Sequence, residues 1–246
     1  MEKKSSKQYE MIKNKALLLC TTDLSPSVVD TAAKRDVLID VFPFIQVKPR
    51  VNEKLNEQIS RLSSEFHTTV FTSGNAAKSV IEKLESKPDW KIYCTSGTTR
   101  KIISEFFGSS AIKDTENDAL LLAEKIIADA PGKIIFFCGD HRRDELPAKL
   151  AAHHIPVTEI IVYETSLTPK QVSKNYNGIL FFSPTAATSF FSVNEIKKDT
   201  ILFAIGNTTA KAIAQHCQNK IIVSESPVKE TLVNNCVAYF QKHPIH

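Results

Sequence analysis

Five short segments rich in small hydroxyl and amide residues carry the strongest chemical signal in the sequence. Each follows an apolar run and precedes a helical pattern; the segments are 72–75, 95–99, 139–141, 183–185 and 206–209. Free N–H groups at a helix start carry partial positive charge, and small residues let an anion approach the backbone. A single turn of this kind is more simply explained as an ordinary helix N-cap. Five of them, at repeat-related positions, favour an extended anion-binding cleft.

Two adjacent arginines, Arg142 and Arg143, follow the third of these segments. Their guanidinium groups could pair with the carboxylates of a ligand. Asp144 and Glu145 come next in the chain, so a solvated helix start with internal ion pairs explains the same residues equally well. Both interpretations stay open.

Several familiar kinds of catalytic site are missing from the sequence. It contains no Gly-x-Ser-x-Gly elbow, no His-Glu-x-x-His pair, no phosphate-binding loop and no dinucleotide fingerprint. Its five cysteines share no Cys-x-x-Cys spacing; they are Cys20, Cys94, Cys138, Cys217 and Cys236. This usage predicts buried thiols in a reducing cytoplasm and no metal site.

Composition narrows the class of protein further. The 246 residues carry a net charge of +4, which suits an anionic substrate but is too small to indicate nucleic-acid binding. No apolar run approaches the roughly 18 residues of a membrane span. The polar segment 1–13 and the short apolar run 16–20 do not fit a signal peptide. We therefore expect a cytoplasmic protein with neither a nucleic-acid nor a membrane partner.

The elements that must position these residues alternate between short apolar strands and amphipathic helices. The predicted strands are 16–20, 39–47, 69–72, 91–94, 133–138, 160–165, 178–182, 201–205 and 220–223. The predicted helices include 76–84, 99–107, 118–127, 144–153 and 208–217. This alternation is typical of an α/β fold with parallel sheets.

The chain also resembles itself. Shifting it by 110 residues aligns 70–127 with 180–237 and gives fourteen identical residues, where composition predicts roughly three or four. A slightly larger shift aligns 15–20 with 133–138. The sequence therefore predicts two copies of one module.

Long strands at equivalent points of the two copies, 38–48 and 157–167, are possible crossovers between two lobes. Two consecutive lobes without exchange explain the pattern equally well. In the first case Tyr163, which lies in the second long strand, could face a space between lobes. A tyrosine in a strand more often only packs.

Six motifs taken together resemble the uroporphyrinogen-III synthase family along nearly all of 15–240. The motifs are 70–76, 138–146, 162–165, 182–184, 204–210 and 225–227. The resemblance implies two flavodoxin-like parallel-sheet lobes, internally duplicated and joined by a two-stranded linker. Lobe 1 would be 1–42 plus 168–246, lobe 2 would be 48–160, and the inter-lobe strands would be 42–48 and 161–168.

The same resemblance implies the site. Tyr163 matches the tyrosine proposed, in that family, to assist loss of the substrate hydroxyl. The substrate-binding residues would lie in the cleft-lining turns and are Thr72, Ser73, Asn75, Thr98, Thr99, Arg142, Ser183, Thr185, Thr208 and Thr209. Two departures are visible, because many relatives carry an arginine where this chain has the run 20–23 and a glycine where it has Ser96.

The implied reaction converts hydroxymethylbilane, a linear tetrapyrrole with eight carboxylates, into uroporphyrinogen III. Loss of water gives an azafulvenium cation, ring D attacks it, and a spiro intermediate reopens and closes with ring D inverted. The pyrrole supplies its own nucleophile, so the protein mainly orients the chain, and no cofactor or metal is expected. We further expect a monomer with transient hand-over from the preceding pathway enzyme. The alternative is a non-catalytic two-lobed binding or regulatory protein with the same fold.

Overall fold

The computed structural model describes residues 15–245. Residues 1–14 and His246, expected in lobe 1, lie outside the described residues. The chain divides into two compact units: one combines the residues up to Gln46 with those from Ser166 onward, and the other is Val47–Thr165. Since the boundaries fall at 46/47 and 165/166, the chain passes between the units twice.

The first unit holds a five-stranded parallel sheet in the order β11-β10-β9-β1-β2. The strands are β1 (Ala16–Cys20), β2 (Val37–Val41), β9 (Gly178–Phe181), β10 (Ile201–Ala204) and β11 (Ile221–Val223). Four helices accompany them: α1 (Pro26–Ala33), α7 (Pro184–Phe191), α8 (Asn207–Ala214) and α9 (Lys229–Lys242). Apolar clusters cover both faces of this sheet, as parallel sheets require.

The second sheet has the order β3-β8-β7-β4-β5-β6. Its strands are β3 (Ile45–Pro49), β4 (His67–Phe71), β5 (Trp90–Thr95), β6 (Ile112–Glu116), β7 (Ile134–Gly139) and β8 (Val157–Leu167). The helices of this unit are α2 (Glu53–Ser63), α3 (Gly74–Ile81), α4 (Thr98–Phe107), α5 (Ala119–Asp129) and α6 (Glu145–Ala152), with a single 3-10 turn at Ser109–Ala111. All six residues of β7 are buried, so the centre of the sheet is covered on both sides.

The α/β class and the parallel sheets are confirmed, but the single long strand predicted at 38–48 is wrong. The segment forms two strands, β2 and β3, that belong to different sheets. Pro43 lies between them and has no N–H to donate to a ladder. Phe44 is fully buried against Phe190, with ring centroids 5.2 Å apart. The pattern of apolar residues continues through this break because Phe44 packs in the core without being in a strand.

The strand β6 was not predicted. Its sequence, IKDTE, contains one apolar residue and carries charges on both faces. It is an edge strand, paired only with β5, and edge strands commonly carry such charges. Its position at the edge explains the absence of an apolar run.

Among residues 15–245, no helix has both the length and the apolar character needed to cross a membrane.

Candidate functional site

The strand order of each sheet reverses at one point, and ligands of parallel α/β sheets bind in the crevice at the carboxyl ends of the strands at such a point. In the second unit the chain runs outward through β4, β5 and β6 and then returns to place β7 on the other side of β4. The reversal therefore lies between β4 and β7. The turns that follow these two strands are the predicted segments 72–75 and 139–141.

Tyr163 spans this point of reversal. It lies on β8, its ring packs over Gly139 at the end of β7, and its hydroxyl donates to Ser73 Oγ, 3.2 Å away, just after β4. A Cβ atom on residue 139 would lie 2.7 Å from the Tyr163 hydroxyl oxygen and closer still to the ring. Only glycine permits this approach, so the ring of Tyr163 packs directly on the backbone of Gly139.

A β-bulge determines which residue of β8 lies opposite Gly139. Cys138 pairs with Ile161, whereas Gly139 pairs with Tyr163, so one residue of β8 is skipped. Asp140 holds this arrangement: its N–H donates to the Tyr163 carbonyl at 3.2 Å, and its Oδ1 accepts the Thr165 N–H at 2.9 Å. Bulges commonly re-aim a side chain next to a functional site, and here the bulge brings Tyr163 to the sheet edge.

Burial raises the pKa of Tyr163, and the charge of Asp140 acts in the same direction, while the hydrogen bond to Ser73 opposes it. A free tyrosine already titrates at about pH 10. The phenol therefore keeps its proton at neutral pH and can act as a donor. Burial likewise raises the pKa of the neighbouring Cys138 thiol to about 11, so this thiol stays protonated and unreactive.

The start of α3 combines two roles in one serine. Ser73 is the N-cap, and its Oγ accepts the Asn75 N–H at 3.2 Å while also accepting from Tyr163. Thr72 is half-buried at the same turn and Asn75 is exposed. The predicted residues of this segment therefore lie together at the carboxyl end of β4, beside Tyr163.

The start of α4 is built differently. Its N-cap is Gly97, at φ +71°, and no side chain caps the helix. Thr98 is exposed, whereas Thr99 is buried and its Oγ1 accepts a hydrogen bond from Thr95 Oγ1 at 3.1 Å. The backbone N–H groups of this first turn thus have no side-chain acceptor among the described residues, which leaves them available to an anion.

Arg142 is placed near the end of β7, but its guanidinium has internal partners. It donates to the carboxylates of Asp144 and Glu159. These hydrogen bonds raise its pKa above the ordinary arginine value. Its neighbour Arg143 lies 4.0 Å from Glu145. Both arginines therefore have carboxylate partners within the unit.

The first unit repeats the pattern at its own point of reversal, between β1 and β9. Ser183 is the N-cap of α7 and its Oγ accepts the Ala186 N–H at 3.0 Å, with Thr185 half-buried beside it. The N-cap of α8 is Gly206, without a side-chain cap. In that first turn Thr208 is half-buried and Thr209 is buried.

One residue at this edge gave no signal in the sequence. Lys229, the first residue of α9, donates from Nζ to the Asp23 carbonyl at 3.1 Å and lies 5.8 Å from the centre of the Phe182 ring. Asp23 follows β1 and Phe182 follows β9. A lone lysine at a helix start carries no information by itself, and only the fold brings it to the ends of these two strands.

Comparison with known proteins gives a consistent result. The sequence pattern of a family described as Uroporphyrinogen-III synthase HemD matches residues 28–234. The crystal structure of uroporphyrinogen-III synthetase from Helicobacter pylori is similar, with a TM-score of 0.63 and 16% identity, covering 92% of this chain and 99% of that one. A mutant uroporphyrinogen III synthase from the extremely thermophilic bacterium Thermus thermophilus gives a TM-score of 0.63 at 12% identity with the same coverage. A comparison with curated sequences found no match.

Proposed function

The chain belongs to the uroporphyrinogen-III synthase family, and from this premise we propose which of its residues carry out the reaction. The activity is that of a cyclising lyase of tetrapyrrole and heme biosynthesis, which closes hydroxymethylbilane to uroporphyrinogen III with loss of water. Neither the family match nor the similar structures favour a non-catalytic role. The proposal concerns how this chain holds the substrate and where the proton comes from.

The observation that carries the proposal is the position of the Tyr163 hydroxyl. It reaches from β8 across Gly139 to Ser73, at the carboxyl ends of the two strands where the sheet order reverses. We assign Tyr163 as the general acid: its phenol gives a proton to the departing hydroxyl, which leaves as water. The proton is recovered when ring closure releases one from ring D. Ser73 holds the phenol in place between turnovers.

The carboxylates of the substrate bind at the starts of four helices in this proposal. The uncapped first turns of α4 and α8 offer backbone N–H groups together with Thr98, Thr99, Thr208 and Thr209. The capped turns of α3 and α7 contribute Thr72, Ser73, Asn75, Ser183 and Thr185. Helix dipoles and small side chains suit carboxylates at all four places, so the binding energy is distributed.

Arg142 takes a more limited part. A substrate carboxylate would have to displace Asp144 or Glu159 from its guanidinium. Exchange of one carboxylate for another brings little net gain in free energy. We therefore propose that Arg142 contributes less to binding than the uncapped helix starts.

The architecture is proposed to be duplicated. Equivalent strands in the two sheets follow one spatial order, β2-β1-β9-β10-β11 and β8-β7-β4-β5-β6. The helices α3 and α7 begin and end 110 residues apart, which is the offset of the internal repeat. We propose two lobes, 1–42 plus 168–246 and 48–160, with 42–48 and 161–168 as linker strands. A cytoplasmic monomer that receives its substrate from the preceding enzyme completes the proposal.

The experiment that tests the site compares Tyr163→Phe with the unaltered chain in an assay that separates isomer III from isomer I. The substitution removes only the phenolic oxygen and leaves the ring on Gly139. We expect the rate of isomer III formation to fall about 100-fold, the lower end for loss of a general acid, while the free energy of unfolding falls by about 1 kcal/mol at most, as for one lost hydrogen bond. Full activity of the variant would contradict this assignment. Tyr163 would then only line the site, and water or the substrate's own carboxylates would protonate the departing hydroxyl.

A further inference from the structure

A lysine side chain, Lys229, lies where the strand order of the first unit reverses, between β1 and β9. Lys229 begins α9, yet its side chain reaches back to the turn after β1, where Nζ donates to the Asp23 carbonyl at 3.1 Å. The ammonium also lies 5.8 Å from the centre of the Phe182 ring, within the range of a cation–π contact. Two contacts from separate elements thus fix where this lysine lies.

The ammonium retains capacity for a ligand. An ammonium has three donors, and one of them is used on Asp23. Among the ion pairs formed by residues 15–245, none includes Lys229. The residue is exposed. Unlike Arg142, it would not have to give up a carboxylate partner in order to bind one.

The surroundings suit an aromatic ring that carries an acid. Phe182 is half-buried below the ammonium, and Val228, directly before Lys229, is 38% exposed. The turn after β1 supplies no cation of its own, because its residues are Thr21, Thr22 and Asp23. An apolar surface beside one unpaired positive charge matches a pyrrole with an acetate or propionate side chain.

We propose that Lys229 is a substrate-binding residue that holds one carboxylate of the tetrapyrrole at the ends of β1 and β9, with Phe182 against the attached ring. The proposal rests on the uroporphyrinogen-III synthase activity for the identity of the ligand. Its geometry is independent of Tyr163, since all the residues that carry it lie in the other unit.

The test uses three variants of the full chain. Lys229→Gln removes the charge, Lys229→Arg keeps it, and Lys220→Gln is the matched control. Lys220 is also a lysine over an aromatic ring, 5.0 Å from the centre of Tyr239, but it lies at the amino end of β11. The readouts are KM and kcat with hydroxymethylbilane and the Kd of uroporphyrin III, a stable octacarboxylate, measured by fluorescence.

We expect Lys229→Gln to raise KM and Kd about three- to tenfold, as for loss of one charge-assisted hydrogen bond. The kcat should change by less than about twofold, because the lost contact is the same in ground and transition states. Lys229→Arg should restore binding, and Lys220→Gln should bind as the unaltered chain does. The difference should shrink in about 1 M salt, where the screening length is roughly 3 Å.

An active unaltered chain together with unchanged KM and Kd in Lys229→Gln would overturn the Lys229 proposal and leave the proposed function standing. The proposal would also be overturned if Lys229→Gln lost both binding and thermal stability and Lys229→Arg did not restore them. The lysine would then only stabilise the turn after β1. If the unaltered chain made only isomer I, the proposed function would fail, and the Kd of uroporphyrin III would still decide the role of Lys229.

Discussion

The position of Tyr163 depends on contacts with three neighbouring residues. Gly139 leaves room for the ring, Asp140 ties the two strands at the bulge, and Ser73 accepts the phenolic hydrogen bond. Burial raises the pKa of the phenol against the opposing effect of the Ser73 hydrogen bond, so the hydroxyl held at the carboxyl ends of the strands is protonated. The position of the proposed general acid is thus set largely by its neighbours.

Gly139→Ala tests this dependence. A methyl group at residue 139 would meet the Tyr163 ring at distances that real Cβ atoms do not adopt, so the ring must move away from Ser73. We expect the rate of isomer III formation to fall by about tenfold or more, as for a misplaced catalytic group.

A double-mutant cycle with Tyr163→Phe supplies the control. Each substitution is expected to raise the activation free energy. If Gly139→Ala acts through the phenol, the two increases will not add. Full additivity would mean that Gly139 affects activity by another route, such as the twist of β7.

At the scale of elements, the helix starts fall into two kinds. The helices α3 and α7 are capped by Ser73 and Ser183, whereas α4 and α8 start at Gly97 and Gly206 without a side-chain cap. The sequence suggests that the threonines at the starts of α4 and α8 are N-caps. In the structure they lie within the first turn of each helix instead. We therefore expect the uncapped N–H groups of α4 and α8 to contribute more to anion binding than the capped starts of α3 and α7.

Substitution of the buried threonines should have graded effects. Thr99→Ala removes a hydroxyl that accepts from Thr95, so the free energy of unfolding should fall by about 1 kcal/mol. Thr209→Ala should have a similar or smaller effect. We propose that several backbone donors bind the substrate together. We therefore expect the rate of each alanine variant to fall only partly, and less than the rate of Tyr163→Phe.

Urea unfolding and initial-rate measurements on the same preparations separate these effects, and Thr99→Ser serves as the control that keeps the hydroxyl. Abolition of turnover by either alanine, with the fold intact, would contradict a distributed grip and assign that threonine a direct role in the chemistry.

Most elements were predictable because their apolar periodicity is local. The parallel α/β pattern, the five turns and the strand over 157–167 all follow from runs of a few residues. The break at Pro43 and the edge strand β6 did not follow, because each depends on which sheet the segment joins. For the same reason neither the bulge at Gly139 nor the reach of Lys229 to Asp23 could be predicted. Both are contacts between distant parts of the chain.

At the scale of the whole molecule, each unit carries a reversal of strand order with different chemistry at its edge. The second unit presents the protonated Tyr163, and the first presents the ammonium of Lys229, which forms no ion pair within residues 15–245. The Cys138 thiol at the end of β7 stays protonated because burial raises its pKa, which suits a reaction whose nucleophile is ring D of the substrate. The central claim is therefore that this chain directs cyclisation by binding and proton donation alone.

The most direct test supplies hydroxymethylbilane to the purified full chain in the presence of a metal chelator and separates the product isomers by chromatography. Closure without an enzyme gives isomer I, so a parallel reaction without the chain supplies the baseline. We predict that uroporphyrinogen III becomes the dominant product, in an amount that grows with enzyme concentration and does not change when the chelator is added. Formation of isomer I alone, at the spontaneous rate, would contradict this claim.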